Sequence, residues 1–453
     1  MAPPTITIVG GGSVQWTFGL VHQFADSNPL AGACVRLMDV DANALSLMER
    51  ACGRLNDTSD RPLRIETSTD LDASLEGADF VLVAISTGGL EAMRHDLEIP
   101  EGFGIRQTVG DTVGPGGWCR LARNIPVFHD LARRMAQRCP NAWLLNFTNP
   151  LTVLTRVPHR AFGIRTIGMC PGVENQARTM ARLAGALDST PIDYACTGID
   201  HGSWFTRLES DGIDVLKKLK ELGYHRSDDQ LPKAVEMQDR YADVVINRAV
   251  FALWREYGYL PTTSDRHHVE NHPFFVTRDT DDLPYGLKRT SVDDRIAAQK
   301  SQAAIVARYA DGTDETLLTQ DSHGNDPAGS VVESLAGHRT FVWGANYRNT
   351  GQLPGAPADA VVETRCRFDR DGVHPDLSPM PDALKAVTFP HIYRQEAIID
   401  VVLEGTFDQF VAVVLSDPLC SRLDFREGRE LMAQMLVATR RWIQNPKLLE
   451  GHP

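Results

Sequence analysis

A thiol at Cys170, in TIGMCPGV, and an imidazole at His201, in GIDHGSWF, are the side chains of this 453-residue chain best suited to hold a borderline metal ion. Thiolate plus imidazole suits Mn, Fe, Co, Ni or Zn rather than Mg or Ca, which prefer oxygen ligands. Each residue alone has an ordinary explanation. An isolated cysteine most often fills a core as a small apolar group, and an isolated histidine is more often a satisfied polar side chain than a ligand. The same chain opens on a strand–glycine–helix segment, ITIVGGGSVQWTFGLVHQF. There Gly10 and Gly12 permit a tight turn with close backbone approach. The helix that follows, opening near Ser13, would offer its first amides to the pyrophosphate of a dinucleotide. Asp39, closing the next strand in RLMDV, is placed to accept from a ribose hydroxyl, which favours NAD over NADP. Gln15 stands where a third glycine or alanine is usual, so the fingerprint is incomplete. A plain nicotinamide dehydrogenase has no use for a soft metal site beside its cofactor. The two features together therefore narrow the chemistry.

These residues must be positioned by strand ends. Apolar runs (ITIVG, VRLMDV, ADFVLVAIS, AWLLNFTNP) alternate with amphipathic stretches such as ALSLMERACGRL and RNIPVFHDLARRMAQR. That alternation predicts an α/β fold: an N-terminal Rossmann-like parallel sheet with helices on both faces. TIGMC and the apolar part of IDYACTGIDH read as later strands, which puts Cys170 and His201 at the carboxyl edge where open α/β sheets gather ligands. Beyond about residue 200 helical patterns dominate, in YADVVINRAVFALWREYGY, DDRIAAQKSQAAIVARYA and ELMAQMLVATRRWIQN, with a strand-like DAVVETRCRFD between them. The division predicted is an NAD-binding domain over 1–198 and a mixed, helix-rich α+β domain over 199–453 carrying substrate and metal. LPTTSDRHHVENHPFF reads as a loop reaching back to the sheet, and NPKLLEGHP as a frayed tail.

A net charge of −13 argues against nucleic acid or an anionic membrane as a general partner, while leaving room for a local basic pocket. The eight cysteines are scattered without a CxxC pair, which suits reduced thiols in a cytoplasm. MAPPTITIVGGG passes straight into a strand, lacking a basic n-region and a cleavage site, and no run approaches a membrane span. A cytoplasmic protein is the expectation.

Seven segments occur in order: GGGSVQW, GIRQTVGDTVGPGGWCRLARNIPVF, LLNFTNPLTVLTRV, TIGMC, GIDHGSWF, YGYLPTTSDRHHVE and NTGQLPGAPADAVVE. Together, over nearly the whole chain, they resemble glycoside hydrolase family 4, the NAD- and Mn-dependent glycosidases. QTVGDTVGPGG, the SDRH segment and the later GQ-containing stretch resemble its α-galacturonidase branch most. The resemblance implies a redox elimination in place of two-carboxylate hydrolysis. NAD+ oxidises the sugar's C3 hydroxyl, the C2 proton becomes acidic, a divalent metal (Mn2+) on the C2 and C3 oxygens stabilises the developing charge, and the C1 leaving group departs. Water then adds and the hydride returns. A homodimer or homotetramer is also implied.

Carried over residue by residue, Cys170 and His201 match the metal ligands, and Asp111 and Asn149 match substrate-contacting positions. Asp265, in SDRH, falls where some members carry an aspartate as the C2 base, so Asp265 and Asp111 are the catalytic candidates. Asn146 and Arg266 join Asn149 as candidate substrate contacts. Ordinary roles compete: Asn146 and Asn149 can build an Asn-Pro turn, Asp111 can be a turn acid, and Asp265 can pair with Arg266. Pro171 stands where several members carry a general acid and has no side-chain proton to give. His267, His268 and Glu174 are then candidates for that role. Arg348, where the family leads one to expect an apolar residue or proline, is a candidate for the acidic group of a uronide, with Lys288 and Arg289 behind it. The leading reading is a glycosidase for α-linked galacturonides or glucuronides. A sulfonated or 6-phosphorylated glycoside, a lactate/malate-type dehydrogenase and a non-catalytic NAD-binding regulator are the alternatives.

Overall fold

The computed structural model describes residues 3–57, 59–226, 241–319 and 327–450. Six strands, β1 (Thr5–Val9), β2 (Cys34–Met38), β3 (Arg64–Ser68), β4 (Phe80–Val83), β5 (Trp143–Asn146) and β6 (Arg165–Met169), lie all parallel in the order β3-β2-β1-β4-β5-β6. This is the Rossmann-like sheet that the alternating patterns predict. The direction of winding reverses between β1 and β4, the crevice where such sheets bind ligands. β4 and β5 are buried along their whole length because helices cover both faces. Side-chain alternation divides the interior: Leu82 and Leu145 join a core under the helices Thr17–Asp26 and Ala42–Asp57, whereas Val81, Val83 and Leu144 face the long helix Gly114–Arg138. The helix Ala42–Asp57 buries Leu45, Met48, Cys52 and Leu55, an i, i+3/i+4 stripe.

The helix expected over RNIPVFHDLARRMAQR begins nine residues earlier, at Gly114, with Pro115 in its first turn, where a missing N–H costs nothing. A Cβ on Gly117 would lie 2.6 Å from the Thr112 carbonyl carbon, so this part of GDTVGPGG is glycine-rich to let a helix start against its own preceding loop.

The sheet does not stop at β6. β7 (Ile192–Gly198), β8 (Trp204–Ser210), β9 (Ile213–Asp214), β10 (Leu260–Pro261), β11 (Phe341–Arg348), β12 (Val361–Asp369) and β13 (Gly372–Pro375) extend it, all with antiparallel pairings, in the path β6-β11-β12-β7-β8-β10. DAVVETRCRFD thus forms β12, and the sheet runs unbroken across residue 198. YADVVINRAVFALWREYGY splits into Tyr241–Val245 and Arg248–Tyr257. LPTTSDRHHVENHPFF is not a plain loop: it holds β10 and three short helical turns between Asp265 and Val276. Nor is the tail frayed through Leu448. That side chain is fully buried, and Asn445 donates to the carbonyls of Val402 and Gly405. Among the described residues no helix is long and apolar enough to cross a membrane.

Candidate active site

Cys170 and His201 meet because of strand register. Gly198, ending β7, lies opposite Glu363 of β12. Glu363 lies opposite Asn346 of β11, and Asn346 lies opposite Gly168 of β6. β7 therefore ends level with the last residues of β6 although two strands separate them. The chain then turns back through residues 198–203, with His201 in the left-handed region (φ 58°), unusual for a side chain of this size and common where function dictates geometry. His201 Nε2 comes to lie 3.7 Å from Cys170 Sγ.

The other ring nitrogen fixes the tautomer. Nδ1 is 2.8 Å from Thr112 Oγ1, which is 2.9 Å from Asp111 Oδ1. An ionised carboxylate only accepts, so the Thr112 hydroxyl donates to Asp111 and itself accepts the Nδ1 proton. Nε2 is left with its lone pair toward Cys170, the form in which a histidine binds metal.

Two overlapping donor sets surround that ring. Cys170, Asp200 and His201 bring one ligand atom each within 4.8 Å of one another, and so do Asp111, His201 and His267. The His267 ring packs against His201 at 4.1 Å between centroids. Burial pushes Asp111 up, but His201, His267, the Arg120 guanidinium and the Asn149 amide overcome it and hold the acid at about 2. Burial, helped by Asp111, lifts Asp200 to about 8 against the pull of the Cys170 thiol. Burial lowers His201 against the opposing charge of Asp111. It also brings His267 down to about 3, with the positive charge of His201 adding to the effect. Imidazoles, a thiol and buried carboxylates are a donor set that fits a divalent transition ion.

Asn149 belongs to this cluster: its amide donates to Asp111 Oδ2 at 3.1 Å, and its carbonyl accepts from Arg120 Nε at 2.9 Å. Asn146 does not. Fully buried, it spends its side chain on Thr148, Leu151 and Thr155, building the turn after β5. Asp265 is turned elsewhere too: its two oxygens accept the amides of Ala249 and Val250 and so cap the helix Arg248–Tyr257. Burial, opposed by those amides, puts it at about 7. Arg348 is also apart, because β11 runs antiparallel to β6. Two residues beyond Asn346, it lies toward the amino end of the parallel strands, and it pairs with Asp359 at 2.9 Å.

Arg266 is near the cluster, donating to Thr108 O and Thr290 Oγ1. Arg289 pairs with Glu101, Glu174 accepts from Tyr194, and His268 packs edge-on against Trp204. The segment SDRHHVE also contributes a residue that the sequence reading passed over. Glu270 Oε1 accepts the amides of Val109 and Gly110 at 2.7 and 2.9 Å, tying down the loop that carries Asp111 and Thr112.

At the other end of the crevice, Gly10 has φ 94°, and a Cβ there would sit 2.3 Å from Ala84 O. A Cβ on Gly12 would strike Ala44 Cβ at 2.7 Å. Gly12 N donates to Asp39 Oδ2 at 3.0 Å, while Ser13 N donates to Gly10 O. The turn is thus locked to the end of β2. The following helix begins at Thr17, four residues later than Ser13.

This pairing of a glycine turn with a thiol–imidazole cluster on one sheet coincides with matches to two family models. The family 4 glycosyl hydrolase model covers residues 5–186, and that family's C-terminal domain covers 196–420. The chain belongs to glycoside hydrolase family 4. It is a glycosidase. An α-galacturonidase of Thermoanaerobacterium saccharolyticum is 29% identical over 461 residues, covering 98% of this chain and 97% of its own. An α-galactosidase of Bacillus subtilis is 28% identical over 446 residues, covering 98% and 99%. The crystal structure of a 6-phospho-α-glucosidase from gut microorganisms, in complex with NAD and Mn2+, superposes with a TM-score of 0.82 at 21% identity, over 97% of this chain and 99% of that one.

Proposed function

We propose that this family 4 glycosidase cleaves α-linked acidic sugars, galacturonides or glucuronides, with NAD+ and Mn2+ as its cofactors. The observation that carries the acidic substrate is a set of arginines beside Asp111 without carboxylate partners. Arg120 and Arg266 donate only to backbone carbonyls and a threonine hydroxyl, and neither has an ion pair within 4 Å among the described residues. Arg295 adds its charge to both. In a chain of net charge −13, where most described arginines are paired, such a group is a site for a carboxylate that comes from outside. The likeness to an α-galacturonidase supports the same reading, whereas the likeness to an α-galactosidase makes the neutral sugar the competitor.

When bound, NAD+ and the metal ion supply hydride acceptance at the sugar's C3 and positive charge at its oxygens. The chain's own residues do the rest. Gly10, Gly12 and Asp39 shape the dinucleotide turn, and Cys170 and His201 hold the ion. Asp111, ionised and braced by Thr112 and Asn149, accepts from a sugar hydroxyl and orients the ring. His267, whose ring packs against His201 and whose Nδ1 has no hydrogen-bond partner among the described residues, is the candidate to exchange a proton with the sugar, since Pro171 has none to give. Asp265, engaged with two amides, acts on the fold of that segment.

A panel of chromogenic α-galacturonide, α-galactoside and 6-phospho-α-glucoside tests the substrate. Charged hydrogen bonds contribute about 1.5–3 kcal/mol each, so Arg120→Met should cost about 10- to 100-fold in kcat/KM on the galacturonide and clearly less on the galactoside, where only the bracing of Asn149 and Asp111 is lost. Wild-type enzyme that prefers the neutral or phosphorylated sugar would sink the acidic reading.

A further inference from the structure

One carboxylate in the cluster has no role in the fold. Asp200 is fully buried, and apart from the pull of the Cys170 thiol neither of its oxygens has a hydrogen-bond partner among the described residues. A buried acid left bare is costly, and proteins keep such groups where something outside the polypeptide satisfies them. Its closest ring contact, Oδ2 to His201 Nδ1 at 3.7 Å, is too long for a hydrogen bond, and that nitrogen already belongs to Thr112. Asp200 is therefore not the group that orients the imidazole. Nor does it share a proton network with the acid behind it: Glu363 is occupied by Ser203 and by Asn346, which donates at 2.9 Å.

Local backbone geometry explains how Asp200 comes to face the thiol. In an extended chain, residues 200 and 201 would point to opposite sides. The left-handed φ of His201 and the φ of 152° at Gly198 bend the segment, so that ligand atoms of Asp200, His201 and Cys170 gather within 4.8 Å. A Cβ on Gly198 would sit 2.4 Å from Ser203 Cα, so the tightness of this turn is built in.

We propose that Asp200 is a third protein ligand of the divalent ion, completing a Cys170–His201–Asp200 set; the inference rests on the metal reading above. Two anionic donors balance a doubly charged cation. A carboxylate oxygen also hardens a set that thiolate and imidazole alone would leave better suited to Zn2+, and so raises relative affinity for Mn2+.

Titrating metal-free protein with Mn2+, read by the EPR signal of the free ion, and with Zn2+ against a chromophoric chelator, tests this. Asp200→Asn keeps the shape and removes the charge. It should weaken Mn2+ binding by about tenfold or more and Zn2+ binding by less, with NAD+ affinity and circular dichroism unchanged. Mn2+ affinity within about twofold of wild type would overturn the inference while leaving the metal site standing. Should the variant fail to fold, a crystal structure of Mn2+-loaded wild type decides. A carboxylate oxygen of Asp200 at about 2.0–2.6 Å from the ion supports the proposal, and one outside bonding distance refutes it. Wild-type protein that binds no Mn2+ at all would overturn the metal reading and this ligand with it.

Discussion

Cys170→Ser should lower kcat/KM by about 10³-fold or more and leave NAD+ affinity within about twofold of wild type. A Lewis acid at the sugar oxygens contributes several kcal/mol, and each 1.36 kcal/mol is tenfold in rate, so losing about 4 kcal/mol gives that factor. Serine matches the shape of cysteine but not its chemistry, since its hydroxyl does not ionise near neutral pH and offers a poorer ligand. The thiolate has local support that serine would waste: Gly172 N donates to Sγ at 3.3 Å, at the start of the helix Gly172–Ala184, where a negative charge is favoured. The dinucleotide turn follows β1, three strands from β6, roughly 14 Å away at the usual strand spacing, which is why the two effects should separate. Activity near wild type would mean that Cys170 is a packing residue.

The second large effect is on stability. Arg123→Met should cost about 3–5 kcal/mol in chemical denaturation. Arg123 and Asp96 are each 1% exposed and form a two-pronged pair, Nη1 to Oδ1 at 2.9 Å and Nη2 to Oδ2 at 2.6 Å. Burial raises the pKa of Asp96 and the arginine opposes it, so deleting Arg123 leaves a buried acid uncompensated. The pair clamps the helix Gly89–Glu101 to Gly114–Arg138, and the loop between them carries Asp111 and Thr112. The variant should therefore also lose activity at temperatures where it remains folded. Asp96→Leu combined with Arg123→Met should recover much of the stability, because no unpaired charge is left behind. A single variant within about 1 kcal/mol of wild type would contradict this account of the clamp.

What was legible in the sequence was what periodicity and residue type encode. Continuous apolar runs such as FVLV and WLLN marked strands covered on both faces. TIGMC and IDYACTGIDH placed Cys170 and His201 at strand ends. Glycines at 10 and 12 marked a turn where a Cβ has no room. Direction and partnership were not legible. Arg348 looked like a carboxylate receptor until antiparallel pairing carried β11 down the sheet, away from Cys170 and into contact with Asp359. Asp265 looked free for chemistry, but a helix beginning at Arg248 captures it across a turn. Arg120, Asp200 and Glu270 matter because of what surrounds them in space. Asp200 alone left a trace, as an acid chain-adjacent to a candidate ligand.

The central claim is that cleavage proceeds by reversible oxidation and elimination at one site holding both cofactors. Turnover of an α-galacturonide by the NAD+- and Mn2+-loaded enzyme in D2O, followed by NMR of the freed sugar, tests it most directly. The account predicts aglycone release with no net NADH and deuterium at C2 of the product. A product carrying hydrogen only at C2, or NADH formed in step with the aglycone, would contradict it.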